Sequence, residues 1–441
     1  MKSFLALDSS DCESAFVPVS DWSLAAETAA LFYKVRHGVL GAARVDFSDA
    51  MAPVVLLGTS YVLTDEERVK GTGVAVKGTP QVLSQAFMER FQRLIWVTYR
   101  CRFRSLKTEE GAMLDTDAGW GCTLRVGQML LLETLQRAKH SYGSNEHSLL
   151  LLIQENSPSA VLSLHSLLDT ARSLKKYPGD WFSPVSVAYL LQVHTTRHPL
   201  DQVQVLVQVD GSIYLDQVLA AATGLSLQVI QTYCCCANPA PLQDSLIDEY
   251  LSDPSNSADE FEDIDPAQSC AKCRKLATLP SWQSSVLLLV PLMLGLGQVQ
   301  TSYYEGLKAL LNFPQSVGLI GGKPRSAFYI IGHQSNGLLY LDPHHVQTAC
   351  QSEADLAASQ STYHCTHPSV LPLTEVESSL AAGFYLQDHN NFRDFVTKLG
   401  KASKVLKNVV HTAEFSRSDV EESTNCLFFE PPDLSQDYLQ M

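Results

Sequence analysis

A mixed fold of the α+β class is predicted by three observations. Helix-like and strand-like patterns follow one another irregularly along 441 residues, with no internal repeat. Short, continuous apolar runs of the kind found in buried strands occur in both halves, and Pro, Gly, Asn-Gly and Asp-Gly pairs punctuate them. A composition of 45% hydrophobic and 18% charged residues is ordinary for a chain with a sizeable core. The length allows two or three domains, or one large mixed domain carrying insertions.

Residues 1–51 hold helical pieces, such as 22–39, with no evident tie to the segments after them, and are taken as a variable extension. From Pro53, "PVVLLGTSYVL" reads as a buried strand and a turn, and "QVLSQAFMERFQRLIWVTYRCRF" carries apolar residues at helical spacing. A polar loop, Lys107 to Asp115, precedes "DAGWGCTLRVGQML", in which Cys122 opens an apolar helix. Helical patterns dominate from Ser159 to Leu191, broken by the Pro/Gly loop "KKYPGDWFSP", which carries Trp181. In "QVQVLVQVDGSIYLDQV" the alternation around Asp210-Gly211 predicts a hairpin. Residues 241–278 turn acidic, Ser-rich and poor in large apolar side chains, as a mobile insertion would be. Beyond them, "SSVLLLVPLMLG" and "SAFYIIGHQSNGLLYLDPHH" read as core strands, the latter joined at Asn336-Gly337. The expected organisation is an extension (1–51), one catalytic domain (52–411) and a flexible tail (412–441).

Charge and apolar runs narrow the function. The chain has 32 basic and 47 acidic residues, net −15, without a basic run, which argues against nucleic acid and against electrostatic docking on anionic lipid. Asp8 cuts short the signal-like start "MKSFLAL". The longest apolar run, Val286 to Leu296, is broken by Pro291 and Gly295 and is too short to span a bilayer. A cytoplasmic protein is expected. The 11 irregularly spaced cysteines suit a reducing compartment. Neither Cys234-Cys235-Cys236 nor the Cys270/Cys273 pair has the spacing of a structural zinc site, so no metal and no cofactor are expected.

Two stretches could carry chemistry. A thiol at a helix N-terminus has its pKa lowered by amides and macrodipole, and the same amides can hold an oxyanion, although a small cysteine packing behind Trp120 fits the stretch equally well. In "YLDPHH", Asp342 and His344 are two apart at a strand end, so extended geometry puts them on one side, about 6 to 7 Å apart at Cα. A carboxylate beside an imidazole is what a thiol base requires, but a capped turn with an exposed histidine fits D-P-H as well.

Five segments in order, "WVTYRCRF", "TDAGWGCTLRVGQMLL", "PGDWFSP", "FPQSVGLIGGKPRSAFYIIG" and "LYLDPHHVQ", closely resemble the autophagins, autophagy-related cysteine endopeptidases of papain-like fold with a small auxiliary subdomain. The likeness runs from about Pro53 to Phe395. It implies that Cys122 is the nucleophile, Asp342 and His344 its partners and Tyr99 an oxyanion donor. It also implies that Trp181 and a loop at Phe313 to Gly318, with Pro314, Gln315 and Ser316, cover the groove for a substrate tail. By the same resemblance the partners are ubiquitin-like autophagy modifiers of the light-chain-3 and GABARAP type. They are cut after a C-terminal glycine, to prime them or to free them from phosphatidylethanolamine, and the membrane is met only through the lipidated substrate. A modifier-binding scaffold, autoinhibited or vestigial, is the alternative. The long polar loop, the extension and the tail point to the larger subgroup, in which a segment can be autoinhibitory. His345 competes with His344 as base in principle; spacing favours His344. Within the insertion, "DEFEDID" sets Phe261 and Ile264 three apart among acids, like a short strand motif that docks on such modifiers.

Overall fold

The computed structural model describes residues 52–62, 74–75, 82–138, 145–209, 211–233, 281–407 and 409–413. Phe261, Ile264, the Cys234–Cys236 run and the Cys270/Cys273 pair lie outside the described residues, as do positions 1–51 and 414–441.

The predicted turn after Pro53 joins β1 (Val54–Leu56) to β2 (Thr59–Tyr61) through Leu57 and Gly58. A two-residue ladder pairs β3 (Val74–Ala75) with β4 (Val82–Leu83). The stretch expected to be one amphipathic helix is instead a helix, an extended link and a strand. The helix Gln85–Gln92 is capped by the Ser84 hydroxyl, which accepts from the Phe87 N–H. After Leu94 and Ile95 the chain extends, because residues 96–99 give their backbone to other segments, and β5 (Arg100–Lys107) comes next. Aromatic and β-branched residues in "IWVTYRCRF" suit that outcome. The polar loop after it is a short hairpin to β6 (Met113–Thr116), closed by the Thr108 and Gly111 amides.

Six antiparallel-joined strands and one parallel edge make the main sheet. β7 (Val203–Val207) lies parallel to β9 (Ser285–Gln298), which pairs with β15 (Glu377–Leu386). From β15 the order runs through β10 (Ser316–Lys323), β11 (Ser326–Gln334) and β12 (Gly337–Leu341) to β14 (Ser369–Pro372), with β1 and β2 added beside β11. The β11–β12 hairpin forms as expected, but its turn residues are Ser335 and Asn336, with Gly337 already paired to Gln334. The other predicted hairpin does not form. β8 (Ser212–Tyr214) pairs in parallel with β16 (His411–Ala413), and β7, at the edge of its sheet, pairs with β9. The side-chain amide of Gln208 bridges the gap, donating to the Tyr214 carbonyl at 2.9 Å and accepting from the Tyr214 N–H at 3.0 Å. A separate three-stranded sheet consists of β6, β5 and β13 (Gln347–Thr348), the last parallel to β5.

Both faces of the main sheet are buried, which explains the unbroken apolar run in β9. Leu287 and Leu289 face one core with Val317, Ile331 and the helix Cys122–Ala138. Val286, Leu288 and Val290 face a second core with Phe384 and the helices Leu215–Thr223, Tyr304–Asn312 and His389–Lys401. The central helix Cys122–Ala138 is buried along nearly its whole length. The α+β class thus stands as expected.

Candidate active site

The corner that delivers Cys122 is built from "DAGWGC". Gly119 takes φ +90°, a conformation open to glycine at little cost. Gly121 leaves room for the Asp117 side chain, whose Oδ2 would stand 2.4 Å from a Cβ there. Asp117 uses that space to reach Arg125, one turn into the helix: its Oδ2 meets Nε at 2.7 Å and its Oδ1 meets Nη2 at 3.0 Å. The other arm of the guanidinium bonds Glu155, and Asp117 Oδ1 also accepts the Arg100 N–H at 2.7 Å. Arg125 is 1% exposed, so this is a buried charge cluster in which each carboxylate is paired and hydrogen-bonded. Burial raises the Glu155 carboxyl, but Arg125 outweighs it and holds Glu155 below its usual range. By tying β5 and the helix to one loop, the cluster fixes Tyr99 and Cys122 relative to each other.

Cys122 begins the helix, and its thiol is 1% exposed. It shares hydrogen bonds with the His344 imidazole and the Tyr99 hydroxyl, and the Ala327 N–H points at the sulfur. Asp342 and His344 come directly after β12. His344 Nδ1 donates to Asp342 Oδ1 at 2.6 Å, and the His344 amide donates to the same oxygen at 3.0 Å. The ring stands edge-on to Tyr99 (5.4 Å between centroids) and to Phe328 (5.5 Å), which confines its rotation. Burial pulls the His344 pKa down, but the bonds to Asp342 and Cys122 prevail and raise it to about 9. Burial likewise pushes the Cys122 thiol up, and the bond and charge of His344 reverse this, leaving it below the ordinary thiol value. An imidazolium–thiolate pair is the state such opposed shifts favour. Burial, followed by the Cys122 charge, holds the Tyr99 hydroxyl well above its usual pKa, so it stays a donor, while the Gly119 N–H bonds its oxygen. His345 lies outside the cluster with its ring against Trp96, and burial lowers its pKa.

The structure therefore brings Cys122, Asp342, His344 and Tyr99 together. Trp181 is 41% exposed, presented by the turn Tyr177–Asp180 just before Ser183 caps the helix Pro184–Arg197. The loop residues do not join the site, and the expectation for them is corrected. Pro314, Gln315 and Ser316 stand at the start of β10, whereas Ala327, beside the thiol, pairs with Gly322 at its other end. Six residues of extended chain put them roughly 20 Å away. Their contacts are structural: the Pro314 carbonyl accepts from Arg137, the Gln315 side chain donates to Asp394 at 2.8 Å, and the Ser316 hydroxyl accepts the Gly318 N–H. Sequence patterns locate a strand without saying which end meets the site. What stands there is the β10–β11 turn, Lys323 to Ser326, with Arg325 at φ +59° and the Ser326 hydroxyl 3.1 Å from His344 Nε2. The Pro-Arg pair in "GGKPRSA" was the turn signal available for it. Trp96 is a second residue that sequence reasoning passed over: its indole N–H donates to the Asp342 carbonyl at 2.7 Å. Among the described residues no group of three or more His, Cys, Asp or Glu side chains could hold a metal, and no helix is long and apolar enough to cross a membrane.

The family described as the peptidase C54 catalytic domain matches residues 84–398. The chain is 32% identical over 358 residues to Cysteine protease ATG4A of Oryza sativa subsp. japonica, a match covering 78% of this chain and 66% of the relative. It is 27% identical over 370 residues to Cysteine protease ATG4B of Xenopus laevis, covering 81% and 82%. With Cysteine protease ATG4 of Medicago truncatula it shares 28% over 385 residues, covering 84% and 69%. The chain thus spans just under two thirds of the rice protein's length.

Proposed function

The chain belongs to the peptidase C54 family, and from that premise we propose that it is an autophagy cysteine endopeptidase with Cys122 as nucleophile, His344 as base and Asp342 as the group orienting it. The observation that carries this is the 2.6 Å bond from His344 Nδ1 to Asp342 on an imidazole whose other side meets a buried thiol at a helix N-terminus. The Cys122 thiolate attacks a glycyl carbonyl carbon, and the Tyr99 hydroxyl and the first helix amides receive the oxyanion. As the C–N bond breaks, the imidazolium passes its proton to the departing amine, leaving a thioester. Water then gives a proton back to His344 and its oxygen attacks the thioester, so the C–S bond breaks and the ion pair returns. A peptide amide and an amide to a lipid amine are the same bond to this machinery.

The substrates proposed are ubiquitin-like autophagy modifiers of the light-chain-3 and GABARAP type, cut after a glycine both as precursors and as conjugates with phosphatidylethanolamine. The enzyme needs no cofactor and works in the cytoplasm. Trp181, exposed on its loop, fits a role as a wall of the groove for the substrate tail. Phe261 and Ile264 are proposed to dock on the modifier. Replacing both by Ala is expected to raise KM for the intact modifier and to leave kcat on a short peptide unchanged; equal KM values would remove them from the scheme. Incubating each precursor class and a lipidated modifier with wild type, Cys122→Ala and Asp342→Ala tests the core of the proposal. Cleavage that survives Cys122→Ala overturns it.

One observation favours a second function. With the thiol 1% exposed beneath the β10–β11 turn, the same fold fits a scaffold that binds modifiers and does not cut them. Binding without cleavage, before and after removal of residues 1–51, would establish the scaffold instead.

A further inference from the structure

We infer that Trp96 is a positioning residue whose indole N–H, through the carbonyl of Asp342, fixes where Asp342 and His344 stand relative to Cys122. The inference rests on the proposed thiol chemistry. The segment it concerns sits between two ladders. Pairing of β12 with β11 ends at Leu341, and pairing of β13 with β5 begins at Gln347, so the residues that carry the carboxylate and the imidazole lie in the gap.

Three bonds fasten that gap to the chain just before β5. The Trp96 indole donates to the Asp342 carbonyl at 2.7 Å, the Tyr99 N–H donates to the Pro343 carbonyl at 2.9 Å, and the Gln347 N–H donates to the Tyr99 carbonyl at 3.0 Å. Two of these are backbone bonds, which a side-chain substitution other than to proline leaves in place. The first belongs to a side chain. Trp96 is itself held, since its N–H donates to the Tyr363 carbonyl at 2.7 Å and its ring meets the His345 ring edge-on at 5.2 Å. Its bond grips the peptide whose own side chain orients His344, so displacement of that carbonyl is transmitted to the 2.6 Å bond at Nδ1 and from there to the sulfur. Displacements well below 1 Å in such an array alter the rate, whereas substrate affinity is set elsewhere.

The test is Trp96→Phe in the full chain, with a second variant carrying 3-benzothienylalanine at position 96, which replaces only the indole N–H by sulfur. The readouts are kcat and KM on a peptide amide cut after glycine, the melting temperature, and the pH dependence of iodoacetamide labelling at Cys122 followed by mass spectrometry. Loss of one neutral hydrogen bond predicts a fall in kcat of about three- to tenfold with KM unchanged. The acid limb of Cys122 labelling is expected to move up towards that of an ordinary thiol. A lowered melting temperature with kcat and the labelling limb both at wild-type values would show that Trp96 merely packs, and would overturn the inference. If Trp96→Phe does not fold, the isosteric variant decides by the same criteria. Wild type that cuts neither the peptide nor any modifier precursor would refute the proposed function, while the labelling limb would still report on Trp96.

Discussion

At the scale of single residues, the opposed shifts at Cys122 and His344 set how acidity acts. The imidazolium persists up to a pKa of about 9 and the thiol ionises below its ordinary 9.0. Cleavage should therefore rise with pH as the thiol ionises and fall as the pH passes about 9, where the proton needed by the departing amine is lost. Stability obeys a different curve. The raised His344 pKa contributes stability that is present below 6.5 and is lost as the pH rises through about 9. The lowered Cys122 pKa contributes stability that is present above 9.0 and is lost as the pH falls through its lowered value. Urea midpoints of wild type and Cys122→Ala should converge as the pH falls through that value; parallel curves would show that the pair is not ionised in the fold. Arg125→Met poses a harsher test, because it leaves Asp117 and Glu155 buried without their partner. A loss of about 3 to 5 kcal/mol in chemical denaturation is expected. The positions of Cys122 at the head of a helix and of Asp342 and His344 after a strand were legible in the sequence, since a glycine corner before a helix and a two-residue spacing after a strand are local signals. Those signals alone fitted a packed cysteine and a capped turn as well, and only the family resemblance gave the three residues roles. Trp96 and Ser326 were not, because each acts through a residue distant in the chain, and no periodicity records such a meeting. Arg125 was not, because its pairing with Asp117 and Glu155 follows from the corner's geometry and not from a sequence pattern.

At the scale of elements, the strands and the central helix were legible where one pattern governed one element. Patterns failed where a segment's backbone partners lay elsewhere. Residues 96–99 carry helical spacing but bond to the Asp342–Gln347 segment and to Tyr363. Val203 to Tyr214 reads as a hairpin, yet β7 finds β9 across some eighty residues of sequence and leaves β8 to β16. Gln208, 2% exposed, is the adaptor that makes this arrangement possible. Gln208→Ala deletes two bonds to the Tyr214 backbone inside the protein, and a destabilisation of about 1 to 3 kcal/mol is expected. Faster amide exchange confined to Ser212–Tyr214 would localise the effect, whereas unchanged exchange there would show that the β16 pairing alone holds the strand.

At the scale of the whole molecule, the two cores meet through strands that are apolar on both sides. A one-residue slip of β9 would exchange the Leu287 and Leu289 set for the Val286, Leu288 and Val290 set, and would expose no polar group to oppose it. Hydrophobicity therefore does not by itself select the alignment of β9; shape constraints stand in the neighbouring strands β15 and β10 and on the central helix. At Gly383 an added Cβ would stand 2.9 Å from Val317 and 3.1 Å from Leu130, and at Gly321 it would stand 2.1 Å from Leu380. These notches accept only the native neighbours. Gly383→Val should lower stability by about 1 to 3 kcal/mol through overpacking. It should also lower the refolding yield more than the equilibrium loss accounts for, measured as soluble protein recovered after dilution from urea. Threading errors in newly made chains would escape correction by water, and proofreading falls to a few missing methyl groups.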